Sequence, residues 1–244
     1  MKVGVFDSGA GGLTVVKSLI EYPLFEEIIY YGDTARVPYG TKDSNTIIRY
    51  SLEALEFFNN FDIDILITAC NTVSAYALDS LRDKSNYPIY GVIEPGIWAL
   101  SQKVKSKDAN ILIMATRATI NSKRYQSELK SLGYKNIESI QAGMLVPIVE
   151  EGILEGSVLN EMLHYYLKDI KEPDAIILGC THFPLIAKEI AKYFNNKPIL
   201  IHSGEAIVEY LEDKGYKNIS KTPIIKINAS DNVFALRDIA KKWL

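Results

Sequence analysis

Apolar positions along the chain follow two alternating rhythms. Short β-rich runs at residues 2–6, 27–31, 63–68 and 89–92 are separated by stretches with apolar positions every three to four residues. That second spacing gathers side chains on one face of a helix. The clearest such stretch carries Ile47, Ile48, Leu52, Leu55 and Phe58, with Asp43 or Ser44 placed to cap its first turn. An earlier one carries Leu13, Val16, Leu19 and Ile20 after a glycine turn, and another starts near Thr72. The second half repeats the grammar. Strands over 111–115, 137–141 and 175–178 alternate with helices over 122–132, 158–167 and 185–194. The tail adds a helix over 206–214, a strand over 223–227 and a helical stretch over 232–243. Strand–helix alternation makes crossover connections, so the strands pair in parallel with helices on both faces. The expected fold is α/β, of doubly wound type.

Two segments match each other in kind. Ile65-Leu66-Ile67-Thr68-Ala69-Cys70-Asn71-Thr72 and Ala175-Ile176-Ile177-Leu178-Gly179-Cys180-Thr181-His182 both read as apolar strand, small residue, Cys and polar cap, 110 residues apart. Asp7 and Thr116, each following an apolar strand, are 109 apart. Nearly equal offsets suggest two pseudo-symmetric domains, each a mainly parallel sheet with helices on both faces. Turn signals near 91–95 and 203–204 set the expected boundaries. Residues 1–92 plus 205–244 form the first domain and residues 93–204 the second.

Composition narrows the classes. The chain has 244 residues, 48% of them hydrophobic, and a net charge of −3, which excludes wholesale disorder. It has no dense Lys/Arg stripe, so a nucleic-acid binder driven by bulk electrostatics is not expected. No apolar run reaches the roughly 18 residues of a membrane span. Asp7 stands where a signal peptide would need its apolar centre, so a cytoplasmic protein is expected. Its two cysteines would then be reduced. With no C-x-x-C pair and only His164, His182 and His202, no structural metal site is expected.

Ligands of open α/β sheets bind beyond the carboxyl ends of the strands. Asp7-Ser8, the loop 33–40, Cys70-Asn71-Thr72 and Cys180-Thr181-His182 all fall there. An isolated Cys is usually an inert small hydrophobe. Here both are strand-terminal and both precede a helix start, where the helix dipole favours thiolate. If the domains face each other, the two thiols converge on one cleft. Disulfide exchange would want them adjacent, and a protease would want one Cys with a His. A facing pair suits racemisation, in which one thiolate removes a proton and the opposite thiol returns one. The two must then start in different protonation states.

Asp7 and His182 are candidate tuners of those states. Asp7 also reads as a turn acid, and His182 as a helix-capping residue. The glycines after Asp7 fit neither a P-loop nor a dinucleotide fingerprint, since the third glycine would fall at Thr14. Asn71, Thr72 and Thr181 could bind a carboxylate or simply cap helices. Pro38-Tyr39-Gly40 forms a turn that suits a ligand rim, a weak signal alone. Glu150-Glu151 reads as a solvated helix end. A non-catalytic amino-acid-binding module, with buried cysteines as filler, is the rival from another class.

Four motifs taken together carry a family resemblance. They are Phe6-Asp7-Ser8-Gly9-x-Gly11-Gly12, Gly32-Asp33-Thr34-Ala35-Arg36-x-Pro38-Tyr39-Gly40, Ala69-Cys70-Asn71-Thr72 and Gly179-Cys180-Thr181-His182-Phe183-Pro184. The sequence resembles the glutamate racemases over essentially its whole length. The resemblance implies a cofactor-independent, metal-free enzyme that supplies D-glutamate for peptidoglycan, with the site between two domains and a homodimeric assembly. It implies that Cys70 acts on D-glutamate with Asp7 and Cys180 on L-glutamate with His182. It implies that Ser8, Asn71, Thr72 and Thr181 hold the α-amino and α-carboxylate groups, and that Tyr39 and Gly40, beside Pro38, meet the side-chain carboxylate. Asp33 and Glu150 match supporting acids, and Thr116 and Thr119 match a threonine pair near the substrate. Some members carry an N-terminal extension tied to activation by a cell-wall nucleotide precursor. Residue 2 already opens the first strand here, so that regulation is not expected.

Overall fold

The computed structural model describes all 244 residues, Met1–Leu244. Nine strands form two sheets in which every neighbouring pair runs parallel. The first contains β1 (Lys2–Asp7), β2 (Glu27–Gly32), β3 (Ile65–Thr68), β4 (Ile89–Gly91) and β9 (Ile224–Ala229), in the order β4-β3-β1-β2-β9. The second contains β5 (Asn110–Ala115), β6 (Asn136–Gln141), β7 (Ala175–Gly179) and β8 (Ile199–His202), in the order β6-β5-β7-β8. Reversed, the second order is 8-7-5-6, which matches 4-3-1-2 strand for strand. The matched strands start 108 to 110 residues apart, from Lys2 and Asn110 to Ile89 and Ile199. The tail strand β9 has no counterpart and extends the first sheet beyond β2.

Helices cover both faces of each sheet because inner strands have no solvent side. Val3 and Val5 of β1 point into a cluster built with α1 (Leu13–Glu21) and α11 (Ser203–Asp213). Phe6 of the same strand points the other way, against α2 (Ser44–Phe58). Asp43 caps α2 by accepting from the Thr46 amide at 3.1 Å. The second sheet is enclosed in the same way, by α5 (Ile93–Lys103) and α7 (Arg124–Ser131) on one face. Its other face carries α8 (Leu145–Glu150), α9 (Ser157–Leu167) and α10 (Ala187–Tyr193). Helix α11 packs against both α1 and α5, so it joins the two halves.

Three helices differ from the expected pattern. The helix near Thr72 is α3 (Asn71–Tyr76), which ends at Ala77 before α4 (Leu78–Lys84). The stretch expected to run over 122–132 begins earlier, as α6 (Arg117–Asn121), and is broken before α7 by Lys123 at φ 61°. After Cys180 the chain enters a 3-10 turn, Phe183–Ile186, and only then α10. At the turn signals of 91–95 and 203–204, α5 and α11 start directly. The final helix is α12 (Val233–Trp243). No helix is long and apolar enough to cross a membrane.

Candidate active site

The carboxyl ends of β1, β3, β5 and β7 face one another across the junction of the two sheets. Ser8, Pro38, Tyr39, Gly40, Cys70, Asn71, Thr72, Thr116, Cys180, Thr181 and His182 all line one narrow cavity there. Both cysteines are free and buried. The cavity is tight, about 20 Å³, roughly the room of a single water.

Two glycines set how closely the halves approach. A Cβ on Gly11 would stand 2.3 Å from Thr181 Oγ1 and 2.6 Å from the His182 ring. A Cβ on Gly40 would stand 2.5 Å from Thr116 Cβ. Each glycine belongs to the first half and meets the second, so any side chain there would hold the cleft open.

Around Cys70, the thiol faces Ser8 Oγ at 3.6 Å. Asp7 lies behind Ser8 rather than on the cavity wall. Its carboxylate accepts from the Gly9 amide at 3.0 Å and from Thr181 Oγ1 at 3.3 Å, which ties it to the opposite half. Burial, and then the nearby Asp7 charge, push the Cys70 thiol up to about 12. Burial also raises Asp7, against the pull of His182 and of the Gly9 and Gly12 amides. The thiolate-favouring helix terminus expected from the sequence does not prevail. Helix α3 has only six residues, and full burial outweighs its amides.

Around Cys180, the sulfur lies 3.7 Å from His182 Nδ1. His182 Nε2 lies 3.0 Å from Glu150 Oε1. Burial disfavours a charged imidazole, but the Cys180 sulfur and Glu150 carboxylate outweigh it and push His182 up to about 10. Glu150 is thus not a freely solvated helix end. Its side chain is 32% exposed and orients a buried ring. His182 makes no side-chain cap, and no α-helix begins at Cys180.

The remaining wall is polar and braced from behind. Thr72, Thr116 and Thr119 hydroxyls form a closed triangle with sides of 3.0 to 3.1 Å. Thr119 is its hidden corner, away from the cavity. Asn71 donates to Ser203 Oγ at 3.3 Å and accepts from the Tyr125 hydroxyl at 2.6 Å, so it does not cap α3. Tyr39 donates to the buried Asp33 carboxylate, which Arg36 Nε also reaches at 2.7 Å. No group of three or more His, Cys, Asp or Glu is gathered as a metal would need.

The profile of the Asp/Glu/Hydantoin racemases matches residues 16–211. The chain belongs to that racemase family. It is 60% identical to the glutamate racemase of a Nitratiruptor species, over all of this chain and 96% of that protein. The crystal structure of the glutamate racemase from Campylobacter jejuni subsp. jejuni superimposes with a TM-score of 0.98, at 54% identity over 100% of this chain and 98% of that one. That of Francisella tularensis subsp. tularensis, in complex with D-glutamate, gives 0.87 at 33% identity, over 100% and 93%.

In this racemase-family chain the four sequence motifs supply most of the cavity wall. Val37, Val146 and Gly179 also line the cavity. Gly179 was in reach, one residue before Cys180. Val146 sits on α8 with no polar signal of its own.

Proposed function

We propose that this chain is a cofactor-independent glutamate racemase that interconverts L- and D-glutamate with Cys70 and Cys180 as its two bases. The supporting observation is that both buried thiols line one cavity from opposite sheets while their immediate neighbours differ in charge. In the free protein Cys70 is held as a thiol, and Cys180 faces a positively charged His182 ring. That state suits L-glutamate: Cys180 as thiolate takes the α-proton, and Cys70 delivers its own proton to the opposite face. The turnover leaves Cys180 as thiol and Cys70 as thiolate, which is the state that suits D-glutamate. Ser8, close enough to hydrogen-bond the Cys70 sulfur, holds that thiolate once formed.

Ser8, Asn71, Thr72 and Thr181 are assigned to the α-amino and α-carboxylate groups, with Thr116 beside them on the wall. Tyr39 and Gly40, next to Pro38, are assigned to the side-chain carboxylate. Asp7 and His182 assist the thiols, and Asp33, Glu150 and Thr119 act one layer behind. We assign residues 1–92 plus 205–244 and residues 93–204 to two domains that part to admit substrate. A cytoplasmic homodimer supplying D-glutamate for peptidoglycan completes the proposal.

Isotope exchange tests it directly. L-glutamate incubated with the protein in D₂O acquires deuterium at the α-carbon as D-glutamate appears. Recovery of unlabelled L-glutamate alone would leave a binding module as the better reading, and faster turnover of aspartate would change the substrate.

A further inference from the structure

Outside the catalytic cavity lies a second, wider one of about 360 Å³. The two share Pro38, Gly40, Thr116 and Val146, so the outer cavity is the vestibule of the inner one. The two cavities differ in charge. No Lys or Arg lines the inner cavity, its one cationic group is the His182 ring paired with Glu150, Asp7 stands just behind it, and the whole chain carries a net charge of −3. The vestibule has one charged lining residue, Arg117, and no acid.

Arg117 is exposed and follows Thr116 of the inner wall directly. It takes part in none of the ion pairs of the chain. Arg36 is engaged with Asp33 and Glu53, and Arg124 with Asp79; Lys42, beside Thr41, lies over the Tyr50 ring and does not line the vestibule. The one hydrogen bond of the Arg117 guanidinium is a long one, Nη2 to the Thr41 carbonyl at 3.4 Å. Thr41 belongs to the first half and Arg117 to the second, so this contact spans the mouth. Any parting of the halves would break it and free the guanidinium.

We infer that Arg117 is the substrate-recruiting residue of this protein: it meets a carboxylate of the incoming amino acid in the vestibule, ahead of an inner cavity whose one cationic lining group, the His182 ring, is already held between Glu150 and the Cys180 sulfur. This rests on the glutamate reading above. Arg117 has no part in proton transfer. A guanidinium suits the task because its fork matches a carboxylate and stays charged at every working pH. Its attraction acts through water, so salt weakens it: the screening length falls from about 30 Å at 0.01 M to about 3 Å at 1 M.

The test compares wild type, Arg117→Gln and Arg117→Lys at ionic strengths of about 10 mM and 1 M. Arg117→Gln should raise KM for both glutamate enantiomers about threefold to tenfold at low salt, with kcat unchanged. Arg117→Lys should recover most of the loss, and the three proteins should converge at high salt. An unchanged KM at low salt, or a loss carried by kcat, overturns the inference. Binding of glutarate, followed by calorimetry, needs no turnover and should weaken by the same factor in Arg117→Gln at low salt. Wild-type protein that bound glutarate through Arg117 without racemising glutamate would overturn the function reading alone.

Discussion

The two halves share one strand order and place a cysteine at the end of equivalent strands, yet they surround those cysteines differently. Cys70 faces a neutral hydroxyl, with the Asp7 carboxylate behind it. Cys180 faces an imidazole whose proton is held by the Cys180 sulfur itself and by Glu150. The difference shows that duplication of a backbone does not duplicate its chemistry. The proposed two-base reaction needs its thiols in different protonation states, and unlike neighbours are what could set them apart.

The strongest way to break the comparison is to remove either sulfur. Cys70→Ala and Cys180→Ala should each lower racemisation by at least about 10³-fold, near the upper end of what one acid–base group contributes. If either variant keeps near-wild-type racemisation rates, the two-base assignment is wrong. Next, His182→Asn takes the positive charge from one side only. It should cost about 10²-fold in kcat/KM at pH 8 and move the rising limb of the pH–rate profile to higher pH. A profile that merely drops in height would assign His182 a packing role.

The smallest effect concerns stability. The His182 value in the folded protein, about 10, lies above that of a free imidazole near 6.5. Its contribution is therefore whole below about pH 6.5 and fades as pH rises toward 10. Cys70, raised from 9.0 to about 12, acts with the same sign above pH 9. The thermal midpoint should fall from pH 7 to pH 10, and fall less in His182→Asn. Equal slopes for the two proteins would remove His182 from this account.

Much of this was legible in the residues themselves. Alternating strand and helix rhythms fixed the parallel sheets, and Cys70 and Cys180 stood out because each follows an apolar strand directly. What stayed hidden depends on partners distant in sequence. Glu150 was named only through the family resemblance: it lies 32 residues from His182, and nothing in Val-Glu-Glu-Gly alone distinguishes an oriented carboxylate from a solvated one. Tyr125 supports Asn71 across 54 residues and the two halves. The break at Lys123 was equally silent, because a left-handed turn is usually announced by Gly or Asn and here is made by a lysine. The direction of the Cys70 shift depends on burial, a property of the assembled fold. A helix start can be read locally, whereas the depth at which it ends up cannot.

The lone strand without a counterpart carries a consequence for synthesis. β9 covers the outer edge of β2, yet nearly two hundred residues separate them along the chain. On the ribosome, β2 is made early and its hydrogen-bonding edge stays bare until the final stretch emerges. A bare edge is a template for pairing with other chains. The second sheet, contiguous in sequence, can finish first, while the first waits for β9 to close its border.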